Sequence, residues 1–129
     1  MTPIGTVRAS ASTSVGTVER TDGGWVASFT IDPDDPVFRG HYPGYPVMPG
    51  VYLIELADCT VRALLESGPA VRLAAVERCR FLAPVYQGDT VTLEILSDEG
   101  DDPRFVIRAI TGRGAAADLT LGYRTKATR

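Results

Sequence analysis

Two side chains with complementary proton chemistry, His41 and Glu55, lie fourteen residues apart in the sequence. His41 is the single histidine of the chain. Because an unperturbed imidazole titrates near pH ~6.5, its neutral form can accept a proton at neutral pH. Glu55 stands among Leu53, Ile54 and Leu56, and burial of a carboxyl group favours the form that carries a proton. The pair therefore offers a candidate base and a candidate acid for general acid–base chemistry.

The segment that carries His41 is conformationally restricted, and we call residues 38–50 the Pro/Gly segment. Three prolines fix φ, and three glycines allow backbone angles or close approaches that a side chain would forbid. These residues are Pro43, Pro46, Pro49, Gly40, Gly44 and Gly50. The longest apolar stretch starts at Val51, and no Ser, Thr or Asp precedes it to cap a helix. The Gly50 amide would therefore favour developing negative charge at a helix N-terminus, so we expect Gly50 and Val51 to bind substrate.

The elements that position these residues follow from the hydrophobic pattern. The apolar stretch predicts one helix over residues 51–67 that is buried on most sides and ends at Gly68-Pro69. Thr-Asp-Gly-Gly separates the β-forming runs 15–20 and 25–31, which predicts a hairpin. Residues 1–13 are expected to contain an edge strand or to form a flexible tail.

Four further β-rich segments separated by turns predict a β-meander after the helix. They are residues 73–85, 90–97, 105–111 and 117–125. Strands with short connections usually pair with their neighbours in the sequence, so the sheet should be mainly antiparallel. We therefore predict an α+β fold in which five or six antiparallel strands curl around one central helix, with all 129 residues in a single domain.

Composition argues against several classes of protein. The net charge of −3 disfavours a nucleic-acid-binding protein. No apolar segment approaches the roughly 18 residues of a membrane span, and the N-terminus lacks the features of a secretory signal, so we expect a cytoplasmic protein. Cys59 and Cys79 show no metal-ligand spacing. We expect two free, buried thiols, with no metal and no cofactor.

The residues around His41 also resemble a family signature. Residues 40–51 read Gly-His-Tyr-Pro-Gly-x-Pro-x-x-Pro-Gly-Val and are followed by Glu55. This pattern resembles the 3-hydroxyacyl-acyl carrier protein dehydratases of the FabZ/FabA type. Two further stretches agree, Asp35-Pro36-x-Phe38 and Arg80-Phe81-x-x-Pro84-Val85-x-x-Gly88-Asp89. The resemblance extends over residues 17–126 and implies a hot-dog fold.

The resemblance implies that His41 and Glu55 are the catalytic pair and that the Gly50 amide binds the carbonyl of a 3-hydroxyacyl thioester. It also implies an acyl carrier protein as partner and a homodimer whose sites are shared between subunits. A glutamate at position 55 resembles the plain dehydratases rather than the dehydratase/isomerases. Cys59, where many members carry glutamine, and Asp58 depart from the pattern, which leaves the hydrogen bonding of Glu55 open. A shorter N-terminal part favours a secondary pathway such as polyketide or aryl-polyene assembly.

Two other functional classes remain open. One is a different thioester enzyme on the same fold, either a hydratase, an isomerase or a thioesterase, although the pairing of His41 with Glu55 argues against a thioesterase. The other is a non-catalytic acyl-binding or scaffold protein. Such a member would have lost a catalytic residue, whereas both are present in this chain. The arginines between positions 72 and 124 form either a solvated face or a docking surface for the carrier protein.

Overall fold

The computed structural model describes residues 3–8, 15–32, 34, 48, 50–65, 71–98 and 102–125. This part of the chain forms seven strands and one helix. They are β1 (Pro3–Arg8), β2 (Val15–Arg20), β3 (Trp25–Thr30), α1 (Gly50–Leu64), β4 (Val71–Phe81), β5 (Thr90–Asp98), β6 (Arg104–Thr111) and β7 (Gly114–Thr125). The strands form one sheet in the order β1-β2-β3-β5-β6-β7-β4, and each neighbouring pair is antiparallel. The predicted α+β architecture is confirmed.

The predicted hairpin is formed by β2 and β3. Arg20 pairs with Trp25 across the turn. Ala27 and Phe29 are buried on one face of β3, which follows the two-residue period of a strand, and Ile31 just after the strand is buried as well. β1 pairs with β2, so the first residues contain an edge strand and the described sheet has seven strands rather than five or six.

The predicted meander is only partly right. β5, β6 and β7 pair in sequence order, but β4 pairs with β7 instead of β5, and β5 pairs with β3. The connection after β4 crosses the end of the sheet, where the amides of Leu82 and Ala83 both donate to the carbonyl oxygen of Ala116. The prediction that strands pair with their neighbours in the sequence failed here because β4 lies at the far end of the sheet, beside β7, while β3 pairs with the side of β5 that β4 would have used.

The central helix begins one residue before its predicted start, and positions 66 and 67 of the prediction lie outside the described residues. Its fully buried residues follow helical spacing and are Leu53, Leu56, Ala57, Thr60 and Val61. The hydroxyl of Thr60 donates to the carbonyl oxygen of Leu56 at 2.7 Å, which satisfies it inside the core. Within α1 only Val51 and Arg62 are exposed, so the helix is covered on most sides.

The helix-side face of β4 is left uncovered. Val76, Cys79 and Phe81 lie opposite buried residues of β7, so they share the inward face, yet Val76 is 42% and Phe81 52% exposed. Cys79 is exposed as well, which corrects the prediction of a buried thiol. The reason is that β4 lies at the edge of the sheet, where α1 covers the strand only in part. We call Val76, Cys79 and Phe81, with the neighbouring exposed Leu82, the edge strip.

Candidate active site

The N-terminus of α1 packs against the edge strip. A Cβ added to Gly50 would lie 2.6 to 2.8 Å from the ring carbons of Phe81, so only glycine fits while that ring keeps its place. The first turn of α1 carries no acidic side chain. The positive end of the helix dipole is therefore not neutralised within the helix, which makes the Gly50 amide a suitable donor to a developing negative charge. Val51, the second predicted binding residue, is exposed beside it.

Glu55 is half-buried on the same helix. Because an α-helix rises 1.5 Å per residue, its Cα lies about 7.5 Å along the axis from that of Gly50. A carboxyl group on a flexible side chain can therefore serve a substrate whose carbonyl is held at the helix N-terminus. The structure thus brings Gly50, Val51 and Glu55 to one end of α1.

His41 lies outside the described residues, as does most of the Pro/Gly segment. Met48, near its end, is described and buried. The amide of Met48 donates to the carbonyl oxygen of Val85 at 2.7 Å. The pairing of His41 with Glu55 therefore stays a prediction.

Asp58, which departs from the family pattern, has two hydrogen-bond donors. The phenol of Tyr123 donates to its Oδ1 at 2.7 Å, and Nε of Arg62 donates to its Oδ2 at 3.0 Å. Burial and the hydrogen bond to the carboxylate both raise the pKa of Tyr123, so the phenol keeps its proton and remains a donor. Because Asp58 lies one turn beyond Glu55, the contact with β7 fixes the rotation of the helix about its axis.

Sequence reasoning missed this network for a clear reason. The i, i+4 spacing of Asp58 and Arg62 could have predicted an ion pair on the surface of the helix. Tyr123 lies 65 residues from Asp58 in the sequence, and no local pattern relates the two. The charge in the helix thus has a specific buried partner.

A groove of about 850 Å³ lies on the other face of the sheet, away from α1. Its walls include the exposed residues Leu96 and Val106 and the arginines Arg78, Arg80 and Arg108. Arg108 pairs with Asp118 at 2.9 Å. Among the described residues of the predicted site, Gly50, Val51 and Glu55 do not line the groove, so it is separate from the helix N-terminus.

No cluster of three or more His, Cys, Asp or Glu side chains suited to a metal ion occurs among the residues that the structure describes. At 15 residues, the helix among the described residues is not a candidate to cross a membrane.

Sequence comparisons agree on one family. The family model of the ApeI dehydratase matches residues 17–117. The 3-hydroxyacyl-[acyl-carrier-protein] dehydratase FabZ of Thermus thermophilus is 39% identical over 98 residues, which cover 70% of this chain and 69% of that protein. FabZ of Desulforamulus reducens is 36% identical over 100 residues, which cover 72% of this chain and 70% of that protein.

Solved structures share the hot-dog architecture. The dehydratase heterocomplex ApeI:P from Xenorhabdus doucetiae matches with a TM-score of 0.66 at 22% identity, over 95% of this chain and 96% of that chain. A hypothetical thioesterase from Streptococcus pneumoniae with coenzyme A matches with a TM-score of 0.67 at 15% identity, over 84% of each chain. At such low identity these structures show the fold alone, whereas the sequence relatives are dehydratases. The chain therefore belongs to the ApeI-like dehydratase family and is an enzyme of the hydro-lyase class.

Proposed function

We propose that the enzyme removes water from a 3-hydroxyacyl group carried as a thioester on an acyl carrier protein and gives the trans-2-enoyl thioester. The observation that supports the proposal is that α1 begins at Gly50, has no acidic side chain in its first turn, and carries the half-buried Glu55 five residues later. The names of the FabZ relatives specify 3-hydroxyacyl-carrier protein substrates, which supports the same substrate class for this chain.

In the proposed reaction, neutral His41 removes the proton at C2. The electron pair of the broken C–H bond first delocalises onto the thioester oxygen as an enolate, and it then forms the C2–C3 double bond as the C3–O bond breaks. Glu55 gives its proton to the departing hydroxyl, which leaves as water. The Gly50 amide donates to the thioester oxygen while it carries negative charge. Transfer of the proton from His41 to Glu55 through solvent restores both groups.

We further propose that the active form is a homodimer joined at β4. This strand is the end of the described sheet, so one row of its backbone N–H and C=O groups faces no described strand. Pairing with β4 of a second copy would satisfy that row and cover the edge strip. Stable interfaces of this kind bury on the order of 1,200 to 2,000 Å².

The dimer proposal also supports a shared site. Phe81 of the edge strip lies against Gly50, so a partner that covers the strip comes next to the carbonyl-binding amide. His41 of one subunit could then act with Glu55 of the other, as the family resemblance implies.

The direct test is mass spectrometry of 3-hydroxyacyl-carrier proteins of several chain lengths for the loss of water. His41→Ala and Glu55→Gln should each lower the rate by ~10² to 10⁴-fold, because each removes one proton-transfer group. Full activity in either variant would reject that residue's role. Release of a free thiol would instead indicate a thioesterase.

Subunit exchange separates the chemistry from the dimer geometry. Mixing the two inactive variants should restore part of the activity, since a mixed dimer contains one site with both native groups. If both variants are inactive and never complement after exchange, the shared site is wrong while the chemistry stands. The acyl chains that react fastest will distinguish a fatty-acid from a polyketide-type pathway, and coenzyme A thioesters provide the matched test of carrier dependence.

A further inference from the structure

The turn between β4 and β5 is hydrogen-bonded to Ile31 and to Met48, which lie before and after His41 in the sequence. Ile31, just after β3, donates its amide to the carbonyl oxygen of Asp89 at 2.8 Å and accepts from the amide of Gly88 at 2.9 Å. Met48, near the end of the Pro/Gly segment, donates to the carbonyl oxygen of Val85 at 2.7 Å. Ile31, Met48 and Val85 are all buried. One short turn therefore fixes where the chain leaves the sheet and where it returns.

The turn itself is fixed by the side chain of Asp89. Its Oδ2 accepts from the amide of Tyr86 at 2.7 Å, and the amide of Asp89 donates to the carbonyl oxygen of Tyr86 at 3.1 Å. Gly88 lies between them with φ of 79°, a conformation that favours glycine. Gly88 and Asp89 are the Gly-Asp pair that follows Pro84-Val85 in the sequence. Neither residue takes part in the proposed chemistry.

Arg113 braces this turn from another hairpin. It lies between β6 and β7, and its Nη1 donates to Oδ1 of Asp89 at 3.2 Å. Its Nη2 donates to Oδ2 of the same carboxylate. The guanidinium also lies over the ring of Tyr86, with 4.8 Å from its central carbon to the ring centroid. One arginine therefore contacts both residues that define the turn.

We propose that Arg113 is a positioning residue. It holds the turn to which Ile31 and Met48, on the two sides of His41 in the sequence, are hydrogen-bonded, and it thereby sets the position of His41 relative to Glu55. The inference rests on the proposed function, since it assigns the brace to the predicted base. Misplacing a reacting group by about 1 Å can cost ~10²-fold in rate. A brace of this kind therefore acts on the rate without touching the substrate.

A purely structural role for this ion pair is a weaker account. The side chain of Arg113 is 50% exposed, against 14% for Asp89, and exposed ion pairs contribute little to stability. The chain also offers a matched control. Arg108 makes hydrogen bonds of 2.9 and 3.4 Å to both carboxylate oxygens of Asp118, with side chains 53% and 23% exposed. That pair joins β6 to β7 on the outer face of the sheet.

The first test compares Arg113→Gln with Arg108→Gln in the full-length protein. Arg113→Gln should lower kcat by about 10- to 100-fold with KM nearly unchanged. Arg113→Lys, which keeps the charge but loses the planar fork, should recover part of the loss. Arg108→Gln should keep the native kcat, since an effect on carrier docking would appear in KM, and every variant should remain folded under the assay conditions, as checked by urea unfolding. Native kcat in Arg113→Gln, or an equal loss in Arg108→Gln, would overturn the proposal.

The second test needs no activity. Because the chain has one histidine, its imidazole gives a single set of NMR signals. Arg113→Gln should shift or broaden the His41 signals, whereas Arg108→Gln should leave them unchanged. Identical His41 signals in the native protein and Arg113→Gln would reject the positioning role. If the native protein fails to dehydrate any substrate, the proposed function falls, while this measurement still decides whether Arg113 positions His41.

Discussion

Replacing Tyr123 with phenylalanine should destabilise the protein by about 1.5 kcal/mol. The change deletes one hydrogen bond to a charged acceptor, and such bonds contribute ~1.5 to 3 kcal/mol. The lower end applies because Arg62 still donates to Asp58, whose side chain is 21% exposed and can take up water. The ring itself remains packed, since its edge contact with Phe105 at 5.7 Å between centroids does not involve the hydroxyl.

Urea unfolding at one fixed protein concentration measures this loss as a lower midpoint with an unchanged slope. A double-mutant cycle of Tyr123→Phe with Asp58→Ala should give a coupling energy of roughly 1 kcal/mol or more. The cycle of Asp58→Ala with Arg62→Ala is the control, and we expect about 0.3 to 0.5 kcal/mol for that exposed i, i+4 pair. A Tyr123 coupling no larger than the control would refute the idea that the phenol anchors the helix.

The pH dependence gives an independent check on the same residue. The pKa of Tyr123 is raised in the folded protein, so its contribution is complete below the usual tyrosine pKa of about 10 and is lost as the pH rises above that value. Tyr123→Phe should lack this part of the alkaline loss of stability. Equal alkaline curves for the native protein and the variant would contradict the assignment.

Three further predictions concern the edge strip, the helix N-terminus and the turn. Val76→Asp should give monomers in light scattering, whereas Val106→Asp, at a comparably exposed valine on the outer face, should stay dimeric; a dimeric Val76→Asp would exclude β4 as the interface. Gly50→Ala should lower kcat because its methyl group overlaps the ring of Phe81, and Phe81→Leu in the same chain should restore part of the activity if that overlap is the cause. Burial opposes ionisation of Asp89, but hydrogen bonds from Arg113 and the Tyr86 amide outweigh it and lower the pKa of Asp89. The free energy of unfolding should therefore fall as the pH drops below about 4, and it should fall less steeply in Arg113→Gln. Superimposable acid curves for the native protein and the variant would speak against the pair.

Local patterns predicted the parts of the fold that depend on local physics. The β2–β3 hairpin follows from its turn residues, and the buried face of β3 follows from a two-residue period. The helix start could be placed within one residue because the Pro/Gly segment ends there. These features need only neighbours in the sequence.

The place of β4 could not be read in the same way. Its pairing with β7 depends on how far the sheet curls around α1, which no single segment encodes. The same error led to the wrong prediction that Cys79 is buried, because an inward-facing residue is covered only where the helix packs against it. For the site, the motif predicted Gly50 and Glu55 as functional residues, but the hydrogen bond from Tyr123 to Asp58 depends on the packing of β7 against the helix and has no local signal.

The pairing of β3 with β5 has a consequence for the way the chain is made. Thr30 pairs with Thr90, and Trp25 pairs with Ile95, so the Pro/Gly segment, α1 and β4 are all synthesised between the two strands. Such distant pairing gives high contact order and slow closure of the sheet. During translation, the edge of β3 that faces away from β2 gains its full partner strand only after residue 95 has left the ribosome. That edge of the nascent chain therefore stays without its partner strand throughout the synthesis of the Pro/Gly segment and α1.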